Sequence, residues 1–177
     1  MFNILNSKQK AALGSVVYEC ATLESTLNIL ILSFTNVSGD ELEILIGGAM
    51  LQKKLDMLKA LAKLKLKSKK KLEHLLNIIG KINALNGERV TAVHGEWGPP
   101  GNMFQLSWLT TGIPPDVIPE AMLKKHGKPR TVKAERLEEM AADISRCHEH
   151  LREFRKAHFI KPLIKRSLRK EAKKANK

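Results

Sequence analysis

Apolar residues recur at spacings of three and four along most of the chain, a period that marks helices burying one face. The first run is Leu13, Val16, Val17, Cys20, Leu23, Leu27, Leu30, Ile31 and Phe34. It predicts one long helix opening at Ser7, a good N-cap. Asn36-Val37-Ser38-Gly39-Asp40 is turn chemistry, and Asp40 with Glu43 has the spacing of a capping box. A second helix follows, with the stripe Ile44, Gly48, Leu51, Leu55, Leu58 and Ala62. Ser68 places the next turn near 66–69. The third helix carries Leu72, Leu75, Leu76, Ile79, Ile82, Asn86, Arg89 and Val93 on its stripe. It should end at His94, because Gly95 suits the position after a helix and Gly98-Pro99-Pro100-Gly101 cannot be helical.

Residues 95–130 differ in kind. Phe104, Leu106 and Trp108 alternate with Gln105, Ser107 and Leu109, which predicts a short strand that pairs with Glu96-Trp97 as a hairpin. Pro114, Pro115, Pro119 and Pro129 leave room only for a short helix near 120–125. Thr131 is a candidate cap for the last long helix, whose stripe is Leu137, Met140, Ile144, Cys147, Leu151, Phe154 and His158. Pro162 marks its end or a kink. The expected fold is all-α: an up-down four-helix bundle with a short β-hairpin or loop excursion between the third and fourth helices. Residues 1–160 form the bundle domain, and 161–177 are a basic C-terminal tail.

A chain of 177 residues with 43% hydrophobic content can bury a core and is not a disordered sequence. No uncharged apolar run approaches the ~20 residues of a membrane span, and the first ten residues lack the layout of a signal peptide. Cys20 and Cys147 both fall on apolar stripes and read as core thiols rather than a disulfide, which places the protein in the cytoplasm. Met50, Met57 and Met140 read as core filler, and Gly47-Gly48 as a point of close helix contact.

The net charge of +13 changes the picture because it is not spread evenly. Residues 63–71 hold six lysines and no acid, residues 161–177 hold eight basic residues and one acid, and the remainder is neutral. Such clusters attract polyanions by phosphate contact and counterion release. Lys65, Lys67, Lys69, Lys70, Lys71, Lys165, Arg166, Arg169 and Lys170 are the candidate nucleic-acid-binding residues. The alternatives are a solvated helix end with a disordered tail or, third, an anionic membrane surface, which is not expected as a partner.

Candidate chemistry lies in the third helix. Leu75, Ile82 and Arg89 are seven apart, as are Leu72, Ile79 and Asn86, so two polar residues continue an apolar stripe. An arginine there is costly unless it is paired or lines a wet groove. His94 closes the helix, where the dipole favours a cation. A histidine can move a proton in phosphodiester cleavage while an arginine stabilises charge on the phosphate. Five helical steps leave the two residues roughly 140° apart, so they converge only if the helix loosens at His94 or a second subunit completes the site.

Arg89-Val90-Thr91-Ala92-Val93-His94 is arginine, four residues, histidine, late in a third helix. It resembles the HEPN superfamily (higher eukaryotes and prokaryotes nucleotide-binding), whose active members carry arginine, four to six residues, then histidine. His94-Gly95-Glu96-Trp97 is similar to the His-Gly-x-Trp of bacterial and phage-associated helical proteins. The resemblance implies a metal-independent endoribonuclease with Arg89 and His94 as its catalytic pair at a homodimer cleft. It also implies RNA rather than DNA as partner, no cofactor, and a toxin or phage-defence role. Val90 departs from the polar residue, often asparagine, that follows the arginine in active members.

The purely structural alternative has Arg89 paired with a carboxylate such as Glu19 or Glu24 of another helix, and His94 closing its helix beside Trp97. On that alternative the protein is a non-catalytic module binding nucleic acid or protein, or an interaction partner whose basicity serves solubility. His148 and His150 face different sides of a helix and make poor shared metal ligands; with His158 they read as surface or groove residues. Trp97 and Trp108 read as clamps of the hairpin on the bundle rather than base-stacking platforms.

Overall fold

The computed structural model describes residues 5–35, 37–94, 96–98, 121–125 and 128–162, and it is mostly helical. Helix α1 spans Ser7–Thr35, α2 Gly39–Ile46, α3 Leu51–Lys65, α4 Lys69–His94 and α5 Ala134–Arg155. A π-helical turn, Lys156–Ile160, extends α5. Strands β1 (Glu96–Gly98), β2 (Ala121–Lys125) and β3 (Lys128–Val132) form an antiparallel sheet in the order β1-β2-β3.

Helix α1 opens one residue earlier in its chemistry than the sequence suggests. Ser7 is the first helical residue and Asn6 is the cap. The Gln9 N–H donates to Asn6 Oδ1 at 2.8 Å, and the Asn6 N–H donates to Gln9 Oε1 at 3.1 Å. This is a capping box built from amides. The stripe of α1 is buried as expected except at Val17, which is 47% exposed. By length and mean hydropathy (1.2 over 18 residues) α1 passes as a membrane span, contrary to the expectation that no such run exists. Its Leu23, Leu27, Leu30 and Ile31 are nevertheless buried within the protein, the pattern of a core helix.

The single second helix expected from the sequence is two. Its capping box lies two residues earlier than Asp40–Glu43: Ser38 Oγ accepts from the Glu41 N–H at 3.2 Å, and the Ser38 N–H donates to Glu41 Oε2 at 2.7 Å. Helix α2 then stops at Gly47-Gly48, residues that favour leaving a helix because they lose the most backbone entropy inside one. The break shifts the register of the stripe. Leu42 and Ile46 are buried, whereas Ile44 is 85% exposed and Met50 is not core filler but 83% exposed. Gly47-Gly48 is not a helix contact either: a Cβ on Gly48 would meet nothing, and one on Gly47 would meet only Glu43 of its own turn.

Residues 121–125, for which the sequence predicts a short helix, form a strand. β2 and β3 are joined by two residues, the shortest usual hairpin connection. Pro129 is tolerated because β3 is an edge strand. Thr131 therefore belongs to β3 and does not cap α5. The expected strand over 104–109 lies outside the described residues, as do Trp108 and the tail beyond Pro162. The π turn immediately precedes Pro162, which lacks an N–H and crowds the preceding turn.

The chain divides into two compact units. The first comprises Met1–Ala21 and Ala84–Ser145. Its core includes Val16, Ala92, Leu137, Met140 and Ile144. Gln9, only 1% exposed, donates through Nε2 to the Val132 carbonyl at 3.3 Å and so ties α1 to β3. The second unit comprises Thr22–Asn83 and Arg146–Lys177. Leu27, Leu55, Leu58, Leu75, Ile82, Leu151 and Phe154 are its buried centre, and truncation of any one leucine would cost roughly 2–5 kcal/mol. Phe34 and Phe159 meet edge to face, 4.8 Å between ring centroids.

Candidate functional site

The second half of α4 belongs to the first unit. There the inner stripe turns polar as the sequence predicts: Ala92 is buried, while Asn86 and Arg89 are half-buried. The Asn86 Oδ1 and Arg89 Nε atoms are buried and make no hydrogen bond, although Arg89 is engaged as a residue. A buried amide oxygen without a donor is costly, and such orphans are few in folded proteins. His94 is exposed at the last position of the helix. The helix is α-helical up to His94, so it does not loosen before the histidine.

Neighbouring groups are tied down. Glu88 accepts from Arg136 on α5 at 2.6 Å, and Arg136 also reaches Glu139 at 3.1 Å. The hydrogen bond from Glu88, then that from Glu139, raises the Arg136 guanidinium above its ordinary value. Trp97 donates from Nε1 to the Ala92 carbonyl at 3.1 Å, which fastens β1 to the end of α4 and satisfies one of its last carbonyls. Trp97 is thus the clamp that the sequence suggests. Glu24, one of the carboxylates the sequence offers to Arg89, accepts from Lys54 Nζ at 3.2 Å.

Of the basic candidates, Lys65, Lys67, Lys69, Lys70 and Lys71 are all exposed at the corner between α3 and α4. Lys165, Arg166, Arg169 and Lys170 lie outside the described residues. Among the described residues no group of three or more His, Cys, Asp or Glu side chains is placed to hold a metal ion. Cys20 and Cys147 are buried and form no disulfide.

Two features escape sequence reasoning. Lys54 is 3% exposed, a lysine inside the second unit held by Glu24. Its only sequence signal is its place beside Leu55 and one turn before Leu58, on the buried side of α3. The other is a stack of rings: His74 and Phe154 lie 5.7 Å apart between centroids, and Phe154 and His158 4.4 Å apart. No local pattern joins α4 to the end of α5.

Comparison with protein-family models, with curated proteins and with solved structures gave no match.

Proposed function

We propose that the protein is a metal-independent endoribonuclease of HEPN type, acting in the cytoplasm as a homodimer. Arg89 stabilises charge on the phosphate, and His94 transfers the proton to or from the 2′-hydroxyl or the leaving oxygen. The reading takes the helices as an up-down bundle in which α2 and α3 together stand for the second helix, with an excursion containing the 96–109 hairpin between α4 and α5. The observation that carries it is a half-buried arginine continuing the apolar stripe of α4, with an exposed histidine at the end of the same helix. On a regular helix the two remain roughly 140° apart, so the working site takes Arg89 from one copy and His94 from the other.

The test is cleavage of a labelled RNA panel in the presence of a chelator. RNA is cut and DNA is not, because DNA lacks the attacking 2′-hydroxyl. His94→Ala slows cleavage by ~10²–10⁴ and Arg89→Ala also reduces it, both with the helical circular dichroism retained. Val90→Asn is at least as active as the parent. Mixing the two inactive variants restores about a quarter of the activity, since half the dimers are mixed and each has one intact site. Cleavage that survives His94→Ala, or a panel of RNAs left intact, would sink the proposal.

A second reading, a non-catalytic RNA-binding module, is favoured by the exposed lysine corner between α3 and α4.

A further inference from the structure

Residues 63–71 and the chain from Lys161 onward are about ninety positions apart in sequence, yet the second unit brings them together. Phe154 is the buried hinge of this arrangement, at 1% exposure. The edge contacts it makes on one side with His74 of α4 and on the other with His158 of the π turn join the two segments. Lys71 lies one turn before His74, and Lys161 one turn after His158. His74, Lys70 and Lys71 are exposed, as are Lys156 and Lys161, and His158 is half-buried.

The local electrostatics are unfavourable for the protein by itself. Lys69, Lys70 and Lys71 occupy the first turn of α4, which has no acidic residue, and so place three cations at the positive end of the helix dipole. Among the described residues, only Lys69 of the six lysines in 63–71 has a carboxylate within ion-pair distance, Glu73 at 3.9 Å, and both are largely exposed. On the other side Glu153 is taken by Lys156 at 3.3 Å, and Arg155 donates to Ser33 Oγ at 3.1 Å. Helix α1, packed there through Phe34 on Phe159, has no charged residue over 25–35. No element facing the two histidines supplies a spare carboxylate among the described residues. Burial first, then the charges of Lys71 and His74, hold the His158 imidazole below its ordinary value.

We propose that Lys69, Lys70, Lys71, His74, His158 and Lys161 form one binding surface for the phosphate backbone of RNA, and that the two histidines make its grip proton-dependent. It rests on the RNA reading above but not on cleavage. A phosphate beside the ring pair replaces repulsion between like charges by attraction, so His74 and His158 take up protons as RNA binds. Binding then strengthens as pH falls through the ordinary histidine range of about 6.5 and below. A bilayer is the poorer ligand, because among the described residues Leu64 is the one large exposed apolar side chain of this corner and stable membrane attachment needs buried apolar area.

The experiment is fluorescence anisotropy of the full chain with a labelled oligouridine, carried out in chelator with the His94→Ala variant so that the probe is not cut. Between pH about 7.5 and about 5.5 the Kd falls several-fold, and the slope of log K against log salt steepens by roughly 1.4, two added phosphate contacts at ~0.7 each for a single strand. Lys70→Gln with Lys71→Gln lowers the slope at every pH by a similar amount. His74→Gln with His158→Gln abolishes the pH effect, as does the exposed His74→Gln in part should the double variant be unstable. His150→Gln, on the exposed side of α5, leaves the pH effect intact. A pH effect that survives both histidine variants, unaltered binding in the lysine variant, or binding to phosphatidylserine vesicles in place of RNA overturns the proposal. Binding with this pH profile but without cleavage in the parent protein would leave it standing and remove the nuclease.

Discussion

Lys54 shows what a single residue can decide. Its ammonium is nearly sealed, at 3% exposure, while its partner Glu24 is 31% exposed, so one end of the ion pair is dry and the other touches water. Removing one partner of a sealed pair costs roughly 3–5 kcal/mol because the other charge stays buried alone. Water at the Glu24 end reduces that figure, so Glu24→Gln should lower stability by about 1–3 kcal/mol. Lys54→Met should cost less, since the methionine keeps the apolar stem and leaves only a partly hydrated carboxylate behind. Urea unfolding with an unchanged m-value reads both effects as a shift of midpoint. A neutral Glu24→Gln beside a strongly destabilising Lys54→Met would mean that the stem, not the charge, holds α3 in place. The pair is not legible in the sequence because Lys54 sits among eight other lysines between 53 and 71, and burial has no signature in residue type.

At the scale of elements, the long periodic stripes are legible and the breaks between them are less so. Helix α1 and helix α4 run close to the limits that Ser7, Phe34 and His94 suggest, because a three-four spacing sustained over several turns has few other solutions. The second helix departs from its expected course at Gly47-Gly48, where tolerance of glycine inside a stripe competes with its entropy cost, and here the cost wins. Strands β2 and β3 escape the pattern because Ala121–Lys125 and Lys128–Val132 are short, carry no clean alternation, and include Pro129. The start of α2 depends on one small device. With Ser38→Ala the Glu41 N–H loses its acceptor, and the Glu41 carboxylate, held below its ordinary value chiefly by the Ser38 backbone N–H, loses half of its reciprocal arrangement. We expect a loss of about 1 kcal/mol, with Ser38→Asp close to the parent, measured by thermal or urea unfolding. An unchanged midpoint in Ser38→Ala would mean that α2 is held by Leu42 and Ile46 rather than by its cap.

For the whole molecule, charge distribution is the most legible property and its spatial consequence the least. Counting residues separates a neutral remainder from two basic stretches, but only the His74–Phe154–His158 contacts show that both reach one corner of the second unit. The arginine-histidine pair is likewise legible as residues on α4, while their separation around a regular helix follows from its running unbroken to His94. The charge count makes its own prediction. Ending the chain at Pro162 removes seven basic residues and one acid while keeping the π turn and its ring contacts. If those cations neutralise phosphates, the slope of log K against log salt for a single-stranded RNA should fall by roughly 0.7 for each phosphate no longer neutralised, about 2–4 in all if three to six of them engage. The remaining affinity should reside in residues 63–71 and should disappear when Lys65, Lys67, Lys69, Lys70 and Lys71 are also changed to glutamine, because the rest of the chain carries almost no net charge. Circular dichroism should stay helical throughout, since every residue altered is exposed or lies beyond Pro162. An unchanged salt slope in the shortened chain would mean that its basic residues serve solubility, and strong residual binding in the combined variant would move the RNA surface to the neutral remainder of the protein.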